Sequence, residues 1–219
     1  MKTHVVIGAN RGIGLGLVEK LREQGQRIIA TCRTDQGGLR KLDGVEVIDG
    51  VDITDQHSLH ALADQLPEFD VLWVVAGVLK RTTLDSVDPQ VCQQLFEVNA
   101  LGPLMTVSAL KGHIRSGGKI ALITSRMGSI NDNTSGGSYG YRMSKSALNS
   151  AGKSMALDLL ADQIAVFMLH PGWVRTDMTQ GRGLVDVHES VQGLMERVQT
   201  LTIENTGTFW HMQGDPLPW

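Results

Sequence analysis

Tyrosine is scarce in this sequence. Its 219 residues contain two, Tyr139 and Tyr141, and both stand in one stretch, SYGYRMSKSALN. Cysteine is equally rare: Cys32 and Cys92 show neither CxxC nor finger-type spacing. That excludes a disulfide framework and a thiolate metal site, and the expected setting is reduced and cytoplasmic. Neither sign of charge predominates, and a net charge of −3 gives no electrostatic case for nucleic acid or an anionic membrane as a partner. No apolar run reaches the ~18–20 residues of a membrane span. The opening MKTHVVIGANRGIG enters a strand and a glycine loop with no cleavable-signal character. Repeats, low-complexity tracts and Pro/Ser-rich linkers are missing as well. His57, His60 and Asp64 could share a helix face as metal ligands. A surface helix explains them more simply, so no metal is expected.

What remains is ordinary globular composition, 42% apolar and 20% charged, enough for one good-sized domain. Short β-branched runs alternate with helical segments. Strands are expected at 4–8, 27–31, 45–49, 71–76, 119–124, 164–169 and 208–210. Helices are expected at 12–25, 56–66, 89–109 with a bend at Gly102-Pro103, 139–160 and 187–199. This alternation requires right-handed crossovers and a parallel sheet covered on both faces. The fold class is α/β, a doubly wound parallel sheet of Rossmann type, with residues 1–219 forming one domain.

The first strand runs into Gly8-Ala9-Asn10-Arg11-Gly12-Ile13-Gly14. Glycines here permit a tight turn and close approach to a pyrophosphate, and the N–H groups of the following helix hold the anion. In this strand–loop–helix context the motif predicts a dinucleotide site. An NAD-selective site usually places an acid at the end of the second strand. Here that strand ends Ala30-Thr31-Cys32-Arg33, and Arg33 with Arg11 could clamp a 2′-phosphate, which favours NADP(H) over NAD(H). Asp35 stands against this and could reach the ribose if the strand ended later. Asp52 and Ile53, after the third strand, are placed to meet the adenine.

Taken together the segments resemble the single-domain short-chain dehydrogenases/reductases: GANRGIG at 8–14, VDIT at 51–54, VAG at 75–77, VNALG at 98–102, ITSRMGSI at 123–130, YRMSK at 141–145 and PGWVRTDM at 171–178. More narrowly, SRMGSI through YRMSKSALN and the tail GTFWHMQGDPLPW look like the C-factor-like and sniffer-type carbonyl reductases. The resemblance implies an NADP-dependent oxidoreductase that reduces an aldehyde, ketone or quinone, with a homodimer or homotetramer as the assembly.

Tyr141 and Lys145, spaced i,i+4, share a helix face, whereas Tyr139 has no lysine four residues on. Tyr141 is therefore the expected acid–base group. Its ordinary pKa of ~10 would be lowered by a nearby ammonium and by an oxidised nicotinamide. The resemblance gives Lys145 the nicotinamide ribose, Ser125 the substrate oxygen, and Asn99 a helix bend and a water relay to the lysine. It further places Ala76, Gly77, Pro171, Gly172, Val174 and Thr176 against the cofactor. Departures from the family pattern at Ile7, Val74 and Val75 remove hydrogen bonds that brace the cofactor loops.

Fifteen residues separate Ser125 from Tyr141, and their polar, glycine-rich part at 131–138 is expected to rim the pocket, with Tyr139 lining it or packing. A short substrate-lid segment at about 177–190 predicts an open cleft of modest specificity. Trp219 should be docked, in its own subunit or a neighbour's. The alternative is a dinucleotide-binding signalling or sensor protein of the same fold with little turnover. Whether Cys32 is redox-sensitive stays open.

Overall fold

Seven strands of four to ten residues make a fully parallel sheet in the order β3-β2-β1-β4-β5-β6-β7. The computed structural model describes residues 1–34 and 38–219, so the Asp35 alternative lies outside the described residues. The strands are β1 (Thr3–Ile7), β2 (Arg27–Thr31), β3 (Val45–Ile48), β4 (Phe69–Val74), β5 (Ile114–Ile123), β6 (Ala165–His170) and β7 (Thr208–His211). Five helices follow the expected positions: α1 (Gly12–Glu23), α2 (Gln56–Ala63), α3 (Pro89–Phe96), α5 (Tyr139–Asp158) and α6 (Val187–Thr200), with α4 (Gly102–Leu110) split from α3.

Because both sheet faces are covered, consecutive side chains of one strand enter opposite cores. Val5, Ile7, Leu72 and Leu122 pack with Leu59 of α2, Val107 of α4 and Leu148 of α5. Val6, Trp73, Ala121 and Phe167 pack with Leu17 of α1 and Leu194 of α6. The strand order reverses between β1 and β4, which opens a crevice at their carboxyl ends, where doubly wound folds bind ligands.

β5 begins at Ile114, five residues before the expected 119, and α2 ends at Ala63, short of the expected 66. Two further differences have identifiable reasons. β4 ends at Val74, not residue 76, because the N–H groups of Val75 and Ala76 both turn to the carbonyl of Ile7 at 3.0 Å. The helix expected over 89–109 is broken by a π turn at Glu97–Leu101, one step before the anticipated Gly-Pro bend. Asn99 sits buried at the centre of that turn.

Beyond β7 the chain doubles back on itself. Trp210 bridges Pro216 in antiparallel fashion, and the Leu217 N–H donates to the Phe209 carbonyl at 2.8 Å. The Trp219 ring stacks on Phe209 at 5.8 Å, so it docks against its own chain.

Candidate active site

The crevice above β1 and β4 is a cleft of about 710 Å³. At its foot, Gly8 has φ +85°, and a Cβ there would lie 2.7 Å from the backbone nitrogen of Ala76. Only glycine lets the loop after β1 settle against the end of β4. Gly14 does not line the cleft; a Cβ on it would overlap the Gly8 carbonyl, so it is required for α1 to meet the loop. Asn10, Arg11, Gly12 and Ile13 form one wall, and Asn10 Nδ2 donates to the Thr34 carbonyl at 3.2 Å, tying the loop to the end of β2.

Arg33 lines the same end, and it and Arg11 have no ion-pair partner within 4.0 Å among the described residues. Asp52 and Ile53 line the cleft as well. Asp52 accepts from the N–H and hydroxyl of Thr54 at 2.9 and 2.7 Å, bonds that hold its carboxyl below the usual range, and the Arg33 charge contributes to the lowering. Ala76, Gly77, Pro171 and Thr176 also line the cleft, and the Thr176 side chain lies against Gly12, 3.3 Å from where a Cβ would stand.

At the other end α5 presents Tyr141 and Lys145, both buried, and both line the cleft. Lys145 Nζ donates to the Ile123 carbonyl at 2.9 Å and stands 5.9 Å from the Tyr141 ring centre. Ser125, immediately beyond β5, neighbours the phenol and is the one side chain that pulls its pKa down. Its own orientation is set by the Met127 N–H, which donates to Ser125 Oγ at 3.2 Å. Burial pushes the Tyr141 phenol up to about 12, and Ser125 pulls weakly the other way. Burial also lowers the Lys145 ammonium to about 8. The expected lowering of the phenol is not met by the protein's own groups, because burial is the largest influence on it and only Ser125 opposes it. The proton resides on Tyr141 at neutral pH.

Asn99 lies behind this pair, outside the cleft. Its Oδ1 accepts from the Val78 N–H at 2.8 Å, and Nδ2 donates to the Val78 carbonyl at 2.9 Å and to Ser144 Oγ at 3.0 Å. One side chain so joins the loop after β4 to α5. Gly172 and Val174 also stand back from the cleft: the Val174 carbonyl accepts from Thr179 Oγ1 at 2.6 Å, and Arg175 N donates to Val185 at 2.9 Å. The segment expected to act as a lid is therefore folded back on itself, and from Val187 onward it is already α6.

Tyr139 is not in the cleft; it borders a separate recess of about 410 Å³ with Met127, Arg142 and Met143. Unanticipated residues of the main cleft include Gln94, Glu97 and Val98 from α3 and the π turn, while Asp177 and Met178, from the expected lid segment, line it too. The i,i+3 and i,i+4 spacing of 94, 97 and 98 put them on one helix face, but no local motif marked that face as the one that borders the crevice. Among the described residues no group of three or more His, Cys, Asp or Glu could hold a metal. Nor, among the described residues, is any helix long and apolar enough to cross a membrane.

A doubly wound sheet with a glycine loop at its switch point and a buried tyrosine–lysine pair at the end of the same cleft defines a Rossmann-type α/β protein. A profile of the short chain dehydrogenase family matches residues 2–184, and the chain belongs to that family of oxidoreductases.

It is 38% identical over 227 residues, covering 100% of both chains, to a 1-hydroxy-2-glutathionyl-2-methyl-3-butene dehydrogenase of Rhodococcus sp. (strain AD45). It is 43% identical over 153 residues to the C-signal of Myxococcus xanthus, spanning 68% of this chain and 92% of that one. The structure matches the carbonyl reductase Sniffer of D. melanogaster with a TM-score of 0.92, at 29% identity and full coverage of both chains. An NADPH-bound carbonyl reductase from chicken fatty liver matches with a TM-score of 0.93, at 28% identity over 100% of this chain and 99% of that one.

Proposed function

We propose that the protein is an NADP(H)-dependent carbonyl reductase in which Tyr141 is the acid–base group. The observation that carries this reading is that the glycine loop and the Tyr141–Lys145 pair line one cleft, with Ser125 beside Tyr141 just outside its lining. The fit to a dinucleotide rests on the cradle at Gly8, where a Cβ would meet Ala76, and on the N–H groups of α1 that open onto the loop. Arg11 and Arg33 would hold a 2′-phosphate, Asp52 and Ile53 the adenosine, and Ala76, Gly77, Pro171 and Thr176 the remainder. The bound cofactor supplies hydride to the carbonyl carbon. Tyr141 donates its proton to the carbonyl oxygen, Ser125 donates a hydrogen bond to that oxygen, and the Lys145 ammonium favours the phenolate that is left.

Asn99 fixes the backbone on which these groups stand. The folded-back segment at 177–186 acts as a short lid, and a cleft so lightly covered suits small carbonyl compounds of several kinds. Glutathione-linked alcohols join the aldehydes, quinones and diketones to be tried, because the Rhodococcus relative is named for such a compound. A cytoplasmic homo-oligomer is part of the same reading. The test is NADPH oxidation by the purified protein across that panel, with Tyr141→Phe alongside. Turnover that collapses by about 10²–10⁴-fold in the variant supports the reading. Tight dinucleotide binding with no turnover on any compound would favour a sensor role, the reading that similarity to the C-signal keeps in view.

A further inference from the structure

The loop between Ser125 and Tyr141 is closed by one side chain. Arg142 follows Tyr141 in α5 and is half-buried, and its guanidinium turns back over the loop. Nε donates to the carbonyls of Gly137 at 3.1 Å and Gly136 at 3.3 Å. Nη2 donates to Ser135 Oγ at 2.9 Å and to the Gly136 carbonyl at 3.3 Å, and Nη1 reaches the Met127 carbonyl at 3.5 Å. Met127 lies at the loop's entrance and residues 135–137 at its exit, so a single planar fork ties the two ends together. Every acceptor is a neutral oxygen, which makes this a clamp on backbone shape and not an ion pair.

Both ends of that clamp lead to reacting groups. The Met127 N–H is the donor that orients Ser125 Oγ, and Ser125 neighbours the Tyr141 phenol. At the exit, Gly136, Gly137 and Ser138 all have left-handed backbone, with φ of 64°, 65° and 51°. They lead directly into the first turn of α5, which Ser138 does not cap with its side chain.

We propose that Arg142 is a positioning residue for the carbonyl chemistry, setting the Ser125 hydroxyl against the Tyr141 phenol by clamping the entrance and exit of the 126–138 loop. The inference rests on the roles given above to Ser125 and Tyr141. A lysine cannot replace the arginine, because one ammonium does not span acceptors at Met127 and at 135–137 together.

The chain's two tyrosines allow a test that needs no activity. Labelling with [13Cζ]tyrosine gives two resonances, and Tyr139→Phe assigns the one from Tyr141, whose shift reports the hydrogen bond to its hydroxyl. Arg142→Ala and Arg142→Lys should both move that resonance in the direction that Ser125→Ala moves it, with thermal midpoint and dinucleotide affinity held. In turnover, kcat should fall by roughly 10–100-fold with KM changed less than about threefold. Ethylguanidinium should restore part of the rate to Arg142→Ala, and Arg142→Lys should not recover it. A Tyr141 resonance that stays in place in Arg142→Ala overturns the proposal, as does a rate loss that Arg142→Lys repairs. If Tyr141→Phe retains full turnover, the roles assigned to Tyr141 and Ser125 fail instead, and the resonance still decides whether Arg142 sets their geometry.

Discussion

At the scale of single residues, burial decides the chemistry. Tyr141 and Lys145 stand side by side in a desolvated corner, so each is driven toward its neutral form, the phenol up to about 12 and the ammonium down to about 8. Tyr141 keeps its proton throughout the physiological range, as a proton donor must, and Lys145 is the group that titrates. Lys145 is charged below about pH 8 and neutral above it. Reductive kcat/KM is therefore expected to be level at neutral pH and to fall with rising pH, by about tenfold per unit once beyond the lysine's pKa. A profile that rises through the same interval would contradict the assignment. At the other end of the cleft, Arg33→Ala should weaken NADPH by roughly 10–100-fold and leave NADH nearly unchanged, since one charge-assisted bond to a 2′-phosphate is worth ~1.5–3 kcal/mol. Equal losses for both dinucleotides, measured by fluorescence titration, would remove Arg33 from the phosphate site.

At the scale of elements, the break between α3 and α4 is built by a side chain and not by the glycine–proline pair that follows it. Asn99 accepts from and donates to the Val78 backbone and donates to Ser144, and the π turn carries it to where all three bonds can form. Asn99→Ala should cost about 2–3 kcal/mol and lower Tm by roughly 5–10 °C, because it leaves part-buried backbone groups unpaired. Pro103→Ala should stay within about 1 kcal/mol. If calorimetry ranks the two the other way, the Gly-Pro pair sets the bend after all. The glycine loop obeys the same logic of close approach. Gly14→Ala drives a methyl into the Gly8 carbonyl, a rigid backbone atom, and should cost ~1–3 kcal/mol along with dinucleotide affinity.

For the whole molecule, stability carries its own pH dependence. His4 is buried in β1, with Nδ1 accepting from Trp73 Nε1 at 3.1 Å, and burial lowers its pKa to about 4. His170, at the end of β6, is lowered by burial to about 3. Both are neutral in the folded and unfolded chain above pH ~6.5. Below that the unfolded chain takes up protons that the native state refuses, so stability falls with pH at about 1.4 kcal/mol per unit for each histidine. The loss from His4 runs from about 6.5 to about 4 and that from His170 continues to about 3. Urea denaturation between pH 7 and 5 should show a declining midpoint, and His4→Gln should flatten part of it. A midpoint independent of pH over that interval would place both histidines in contact with water.

Local pattern was enough for much of this. Apolar runs separated by helical segments dictated a parallel sheet, because nothing else buries both faces of such strands. Gly8, Gly12 and Gly14 between the first strand and helix marked the crevice, and the four-residue step from Tyr141 to Lys145 placed both on one face of α5. These are short-range signals, carried by backbone geometry within a few residues. The remainder depended on groups distant in sequence. That Asn99 grips Val78 and Ser144, that Gln94 and Glu97 border the cleft, and that Trp219 returns to Phe209 are facts of packing with no local signature. The same holds for the raised phenol of Tyr141: its neighbours could be read from spacing, but the degree to which water is excluded from it is a property only of the closed tertiary fold.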